Sequence, residues 1–465
     1  MKTLRASLLF LLAAALPAPA ARVVAIGDSL TAEYDTIPEV PGFSREATRY
    51  AEITEDGWES MSWVEVLSRL RRAHFDFGGY RELSRPWGVP RLSGYELNWG
   101  IPGIAAGQYA EFLTSSARSN FAYWFLRQPL ELQLSSQAKR VVIWLGGNEF
   151  RANYGTLYDG ASSESLIRGL IDDLERIVDA VQEQNPRAQI VLGNIPDLGA
   201  TPDKRAAHPD PQRRARVTAA TEAANARIAK LASDKGVALA DVYAQTARLV
   251  RGGRTYFGAV EILNASDEDN DPHYHFTRDG LHPNTPSQVE LARIFIRAFN
   301  RSYRAAIPQI TDAEALEFLG IDPNEPFFDW LAEHDASGRG VHDDPEGDGL
   351  SHLIEYAFGL NPAQRDADRL PVRVTRPASG IAGEIEVRYT PDPGRSRHVR
   401  VKVQHSSNGT AWQTVPLAQV TSAMDGSFTA RLANDANATL LRVRVTLVRP
   451  SGSATLPQRS SVALE

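Results

Sequence analysis

The chain is expected to fold as an α/β protein, a three-layer parallel sheet flanked by helices, with a C-terminal all-β sandwich domain. Three observations predict this. At 465 residues it is too long for one compact core. From Val23 to about Ala305, short apolar runs alternate with stretches of helical period, the pattern of strands that run parallel under covering helices. From Pro371 onward the period switches to two, most clearly in Val399-Arg-Val-Lys-Val403 and Leu441-Arg-Val-Arg-Val-Thr-Leu447, as in half-buried antiparallel strands. The expected organisation is a signal peptide at 1–21, the α/β domain at 22–305, a helical linker with an acidic loop at 306–365 and the sandwich at 366–465.

The first segment has Lys2 and Arg5 ahead of an apolar run from Ala6 to Leu16, then Pro17-Ala-Pro-Ala-Ala21. That run is shorter than the roughly 20 residues that span a bilayer, and Ala18-x-Ala20 is the small-residue pair that signal peptidase accepts. A secreted or periplasmic protein with no transmembrane anchor is expected, cut near Ala20 or Ala21. Fifty Lys and Arg against 57 Asp and Glu leave no basic surface for nucleic acid. Cysteine is absent, which excludes a cysteine nucleophile and a thiolate zinc site.

Strands are expected at 23–26, 95–98, 140–145, 189–193 and 237–240. Between the third and fourth, Leu166, Leu170, Leu174, Ile177, Val178 and Val181 repeat at steps of three and four, one buried helix face. Two long connections, between Ser29 and Asn98 and from Thr246 to Arg278, read as functional loops. Their aromatic residues, Tyr34, Phe43, Tyr50, Trp58 and Trp87 in the first and Tyr256, Phe257, Tyr274 and Phe276 in the second, are candidates for a pocket wall or for plain core.

Chemistry concentrates behind the strands. Gly27-Asp28-Ser29-Leu30 follows the first strand, where a parallel sheet presents its functional edge. A serine hydroxyl is a poor nucleophile unless an imidazole takes its proton and a carboxylate holds that imidazole. Asp279 and His282, three residues apart before the last helical pattern, have the spacing for such a pair. Gly103, behind the second strand, has no side chain to block its N–H, and Asn148, behind the third, carries an amide donor. With the N–H of Ser29 these form a candidate oxyanion hole. Each residue also has a plain structural reading: Ser29 in a turn, Gly103 at a helix start, Asn148 as a cap and His282 on the surface. His273 and His275 are rival bases.

Gly27-Asp28-Ser29-Leu30, Asn98 to Gly103, Gly146-Gly147-Asn148 and Asp279-x-x-His282-Pro283 occur in the order of the four blocks of the SGNH, or GDSL, hydrolases, and the chain resembles that family from Gly27 to Pro283. The resemblance implies a serine esterase working through an acyl-enzyme without a cofactor, with Ser29 as nucleophile, His282 as base, Asp279 as its orienting partner, and Ser29, Gly103 and Asn148 as oxyanion donors. Acylated carbohydrate is the favoured substrate, lipid ester the alternative, and a non-catalytic binding or adhesion protein on a hydrolase fold the rival. Glu149 stands where the family commonly has Asp, and the segment from Gly193 to Gly199 is similar to one in lipid-acting members.

Two acidic clusters lie outside these blocks. Asp267, Glu268, Asp269, Asp271, His273 and His275 mix ligand types without a helix-face spacing and read as a solvated loop. Asp344, Glu346, Asp348, Leu350 through its carbonyl, and Glu355 fall at positions one, three, five, seven and twelve of an EF-hand spacing with Gly349 at six, so the 344–355 loop is a candidate for structural Ca2+, with a solvated acidic turn as the alternative. The sandwich carries no catalytic motif. It is a candidate for carbohydrate or cell-surface contact, with Trp412 as the residue to stack on a sugar if exposed, or a spacer.

Overall fold

The structure, a computed structural model, describes residues 20–34, 53–54, 57–82, 93–336, 340–376, 384–433, 440–448 and 459–464. Six strands form one parallel sheet: β1 (Ala21–Gly27), β2 (Phe75–Asp76), β3 (Asn98–Gly100), β4 (Arg140–Trp144), β5 (Gln189–Gly193) and β6 (Ala238–Ala240). The order is β6-β5-β4-β1-β2, and β3 also pairs with β1. β2 and β3 share one edge of β1, β2 against Ala21 and Arg22 and β3 from Ala25 to Gly27. β1 is thus held on both sides.

Side chains of a strand alternate between faces, and here each face has its own core. Val24, Ile26, Val141 and Ile143 pack under α2 (Ala106–Thr114), α4 (Glu164–Gln184) and α5 (Pro211–Asp234). Val23, Ala25, Val142 and Trp144 pack under α1 (Trp63–Leu70) and α7 (Thr285–Tyr303). That is the expected three-layer arrangement. In α4 the buried face is Ile167, Leu170, Leu174, Ile177, Val178 and Val181, with Leu166 packed partly against it.

Two local expectations need correction. The second strand is not 95–98: Tyr95 belongs to a hairpin in which Ser93–Tyr95 pairs with Tyr80–Glu82, and the sheet strand is Asn98–Gly100. Asn and Gly are poor strand formers in isolation. Here Gly100 is required because a Cβ would lie 2.4 Å from the backbone nitrogen of Ala32. The connection from Thr246 to Arg278 is no simple loop either. It contains Thr255–Phe257 antiparallel to Val260–Ser266, which Tyr274–Phe276 joins in parallel.

Beyond α7, residues Ile307 to Ile321 join the second core of the sheet, whereas Phe327, Trp330 and Leu331 join a third core with Leu353, Ile354 and the C-terminal strands. The change of core falls inside the segment read as a linker. The tail has two four-stranded antiparallel sheets, one of strands 372–375, 384–389, 428–433 and 420–422, the other of 413–414, 399–406, 440–447 and 459–464. Ile385, Val387 and Leu432 from the first meet Val403, Val443 and Val445 from the second, as alternation requires of a sandwich.

Candidate active site

β1 ends in a tight turn: Thr31 and Ala32 donate backbone N–H to Asp28 O, and Leu30 N donates to Asp28 Oδ1 at 2.9 Å. Asn98 pins this turn from β3, donating Nδ2 to Thr31 O at 2.8 Å while its Oδ1 accepts from Gly100 N. The turn lifts Ser29, half-buried, to the carboxyl edge of the sheet.

His282 reaches that edge from the far end of the sequence. Its Nε2 lies 3.0 Å from Ser29 Oγ, and its Nδ1 makes a short hydrogen bond to Asp279 Oδ2. The other carboxylate oxygen, Oδ1, accepts from Leu281 N, His282 N and Thr277 Oγ1 at 2.8 to 2.9 Å. Burial alone would raise the Asp279 pKa; the bonds and charge of His282 and these N–H groups outweigh it and bring it down to about 2. A carboxylate so held is charged at neutral pH and fixes Nδ1 as the protonated ring nitrogen, leaving Nε2 to accept from the serine. Tyr34 braces the turn from below, donating its hydroxyl to Pro283 O at 2.7 Å, with its ring edge-on to His282.

The oxyanion candidates lie beside the serine. Gly103 adopts φ +78°, a left-handed conformation that favours glycine. Gly146, at φ +113°, caps α3 (Gly147–Tyr158), so Asn148 sits in the first turn of that helix. Asn148 Nδ2 donates to Ile104 O at 2.9 Å and over 3.4 Å to Asp28 Oδ2. The longer methylene chain of Glu149 has a clear use: its carboxylate accepts the N–H of Ala106, the first residue of α2, and so ties the third block to the second.

Asp28 is buried beside this cluster. Burial pushes its pKa up to about 6, with the charge of Glu149 adding and the Leu30 N–H and His282 opposing. A carboxyl raised on folding makes the folded state bind the extra proton, so stability falls as pH climbs from the unfolded value of 3.8 to about 6. The Asp28→Asn variant lacks this loss. Its melting temperature relative to wild type should therefore rise between pH 4 and 6 and level off above, by an amount equivalent to roughly 3 kcal/mol at most. A difference independent of pH in calorimetric scans would remove the buried charge as its cause.

A cavity of about 420 Å³ opens over the serine, lined by Ser29, Gly103, Asn148 and His282. Its remaining lining is largely apolar, with Leu198, Val242, Leu249, Phe276 and Leu291, and its polar members include Arg151, Asp197, Thr201, Asp203, Gln245 and Thr246. Of the aromatic candidates, Phe276 lines it. Tyr34 is fully buried support, Phe257 is core and Tyr256 lies under Arg397. Phe43, Tyr50 and Trp87 lie outside the described residues, as does the side chain of Trp58. Of the pocket residues of α6 (Tyr243–Val250), Thr246 and Leu249 fall in the connection read as a functional loop, whereas Gln245 lies just before it. Pro196 to Leu198 sit in the Gly193 to Gly199 segment, which carried a sequence signal.

The rival histidines are tied elsewhere. His273 is held between Asp271 and Glu325 at 2.7 and 2.8 Å, and His275 is fully buried with Nδ1 on Ser287 Oγ. Asp267 accepts the backbone N–H groups of Asp269 and Asp271. In the 344–355 loop, Asp344 accepts from the N–H groups of Gly347, Asp348 and Gly349, Asp348 accepts from Leu350 N, and Glu355 is fully buried. Trp412 is half-buried with the Arg442 guanidinium over its ring at 4.0 Å, so one face is already covered.

Residues 25–288 match the profile of the GDSL-like Lipase/Acylhydrolase family. Among solved structures, the chain is similar to the extracellular lipase of Streptomyces rimosus (18% identity, 60% of this chain and 100% of that one, TM-score 0.34). It is also similar to phospholipase A1 of Streptomyces albidoflavus (17% identity, 60% and 99%, TM-score 0.33). No curated protein matches it.

Proposed function

Because the chain belongs to the GDSL-like Lipase/Acylhydrolase family and so hydrolyses ester bonds, we propose that it does so through an acyl-serine intermediate on Ser29. The observation that carries this is the continuous path from Ser29 Oγ through His282 to Asp279. Ser29 Oγ attacks the ester carbonyl carbon as its proton passes to His282 Nε2. The oxyanion takes the N–H groups of Ser29 and Gly103 and one hydrogen of Asn148 Nδ2, the one now spent on the long contact to Asp28. The imidazolium returns its proton to the departing alcohol. Water, deprotonated by the same nitrogen, then releases the acid and frees the serine. No step calls for a cofactor. All three groups for nucleophilic catalysis are in reach of one another, which favours the enzyme over a retained binding fold.

The apolar wall supports an alkyl acyl group, and the polar residues Arg151, Gln245 and Thr246 support a hydroxyl-rich alcohol. Acylated carbohydrate is therefore proposed first and lipid ester second. p-Nitrophenyl esters from acetate to decanoate test the wall: butyrate or longer should exceed acetate in kcat/KM. Leu249→Trp, which fills the cavity, should lower the octanoate-to-acetate ratio about tenfold, the worth of roughly 1.4 kcal/mol of apolar contact. A ratio unchanged by the variant would place the acyl group elsewhere. Parallel rates on peracetylated sugars and on triglycerides rank the two alcohol classes.

Export by a cleaved signal peptide, to the periplasm or beyond, is proposed from the first 21 residues. No helix among the described residues is long and apolar enough to cross a membrane. A cut after Ala20 leaves β1 whole, since Ala21 pairs with Phe75. For the 344–355 loop we propose structural Ca2+ with no part in the reaction, and for the sandwich a carbohydrate or cell-surface contact.

A further inference from the structure

We propose that the cation of the acidic loop is seated inward, against Glu346, Glu355 and His352 as well as Asp344 and Asp348, and that it clamps this segment onto the core of the C-terminal sandwich. The inference is independent of the hydrolase site. It rests on buried side chains that find no hydrogen-bond partner among the described residues. Glu355 is fully buried, and among the described residues no donor reaches either of its carboxylate oxygens. Both oxygens of Glu346 and Oδ1 of the buried Asp366 also lack one. His352 is fully buried; its Nδ1 lies 2.9 Å from Gly340 O, which that nitrogen's N–H satisfies, so the lone pair is on Nε2, and Nε2 has no partner. Ligand atoms of Glu346, His352 and Glu355 come within 4.8 Å of one another, as do those of Asp344, Glu346 and Asp348, so the two groups share Glu346.

Buried carboxylates without donors are costly unless a cation compensates them. Four carboxylates and one imidazole, in two groups joined through Glu346, are a hard, oxygen-rich set, which selects calcium over zinc. His352 Nε2 then accepts from a water on the ion, the usual arrangement at the ninth loop position. The clamp follows from the other contacts of the same residues. Asp348 Oδ2 accepts the N–H groups of Asp366 and Ala367, each at 2.9 Å, and Arg365 donates to Glu346 O. Leu350, Leu353 and Ile354, adjoining the ligands, pack in one core with Val387 and Val443 of the two sheets.

The full chain, stripped with EDTA, is scanned by calorimetry alone and with 1 mM Ca2+ or Zn2+, and titrated with Ca2+. Ca2+ should bind at one site and raise a melting transition by about 5–10 °C. Glu355→Gln should abolish that shift and, without metal, melt above wild type, because it removes an uncompensated buried charge. Asp344→Asn, at an exposed position, should abolish the shift without altering the fold and carries the test if Glu355→Gln does not fold. Ester hydrolysis at 25 °C should be indifferent to EDTA. Absence of both heat and shift in wild type overturns the proposal, and so does a response to Zn2+ without one to Ca2+. A Ca2+ shift that survives in both variants overturns the ligand set.

Discussion

Ser29→Ala should lower kcat on p-nitrophenyl butyrate by about 10⁴-fold or more, equivalent to about 5–6 kcal/mol of barrier, with little change in KM. The hydroxyl 3.0 Å from His282 Nε2 is the atom proposed to take the acyl group. What survives is the activity of a water molecule in the same cavity, aided by the oxyanion donors. The substitution removes one half-buried oxygen, so the melting temperature should stay within a degree or two of wild type. A fluorophosphonate should label wild type once and Ser29→Ala not at all, as read by intact mass. A variant that still turns over within tenfold of wild type would show that another group attacks the ester.

Asp279→Asn should cost about 10³–10⁴-fold in kcat, for a different reason. The asparagine keeps the size but offers an N–H where Asp279 accepts one, so the ring turns its protonated nitrogen toward the serine and cannot take the serine proton. The loss of charge also has a signature in stability. The Asp279 carboxyl, depressed on folding from 3.8 to about 2, contributes stability that is fully present above 3.8 and lost as pH falls through about 2. Wild type should therefore melt above the variant at pH 5 to 7, and the two should converge toward pH 2. Equal melting curves at pH 6 with kcat within tenfold would remove the Asp279 to His282 bond from the mechanism.

Most of the sheet could be read from the sequence because strands buried on both faces are unbroken apolar runs, as in Val23-Val-Ala-Ile26 and Val141-Val-Ile143. The strand Asn98–Gly100 could not, since its residues serve the neighbouring turn and not strand propensity. Asn98 holds the serine turn and Gly100 lets that turn approach. Phe75–Asp76 is two residues long and has no period to detect. The site residues were legible where a residue type and its neighbours define the chemistry, as in Asp279-x-x-His282. Of the cavity wall, Phe276 was legible as a candidate, whereas Leu249 on a helix after β6 looks like any other buried leucine until the fold brings it next to Phe276. The acidic loop was half legible. Spacing named its carboxylates, but not that the carboxylate of Glu355 and Nε2 of His352 would be sealed inside with no partner among the described residues.

The position of β1 has a consequence for how the protein is made. The strand has neighbours on both sides, and those neighbours, together with the helices that cover it, are translated after it, the last of them at Thr285–Tyr303. Contacts of such long sequence separation make for slow folding, because a great length of chain must be gathered before they repay its entropy. The Ser29 to His282 pair therefore cannot form until a ribosome has passed His282, more than half-way along the chain.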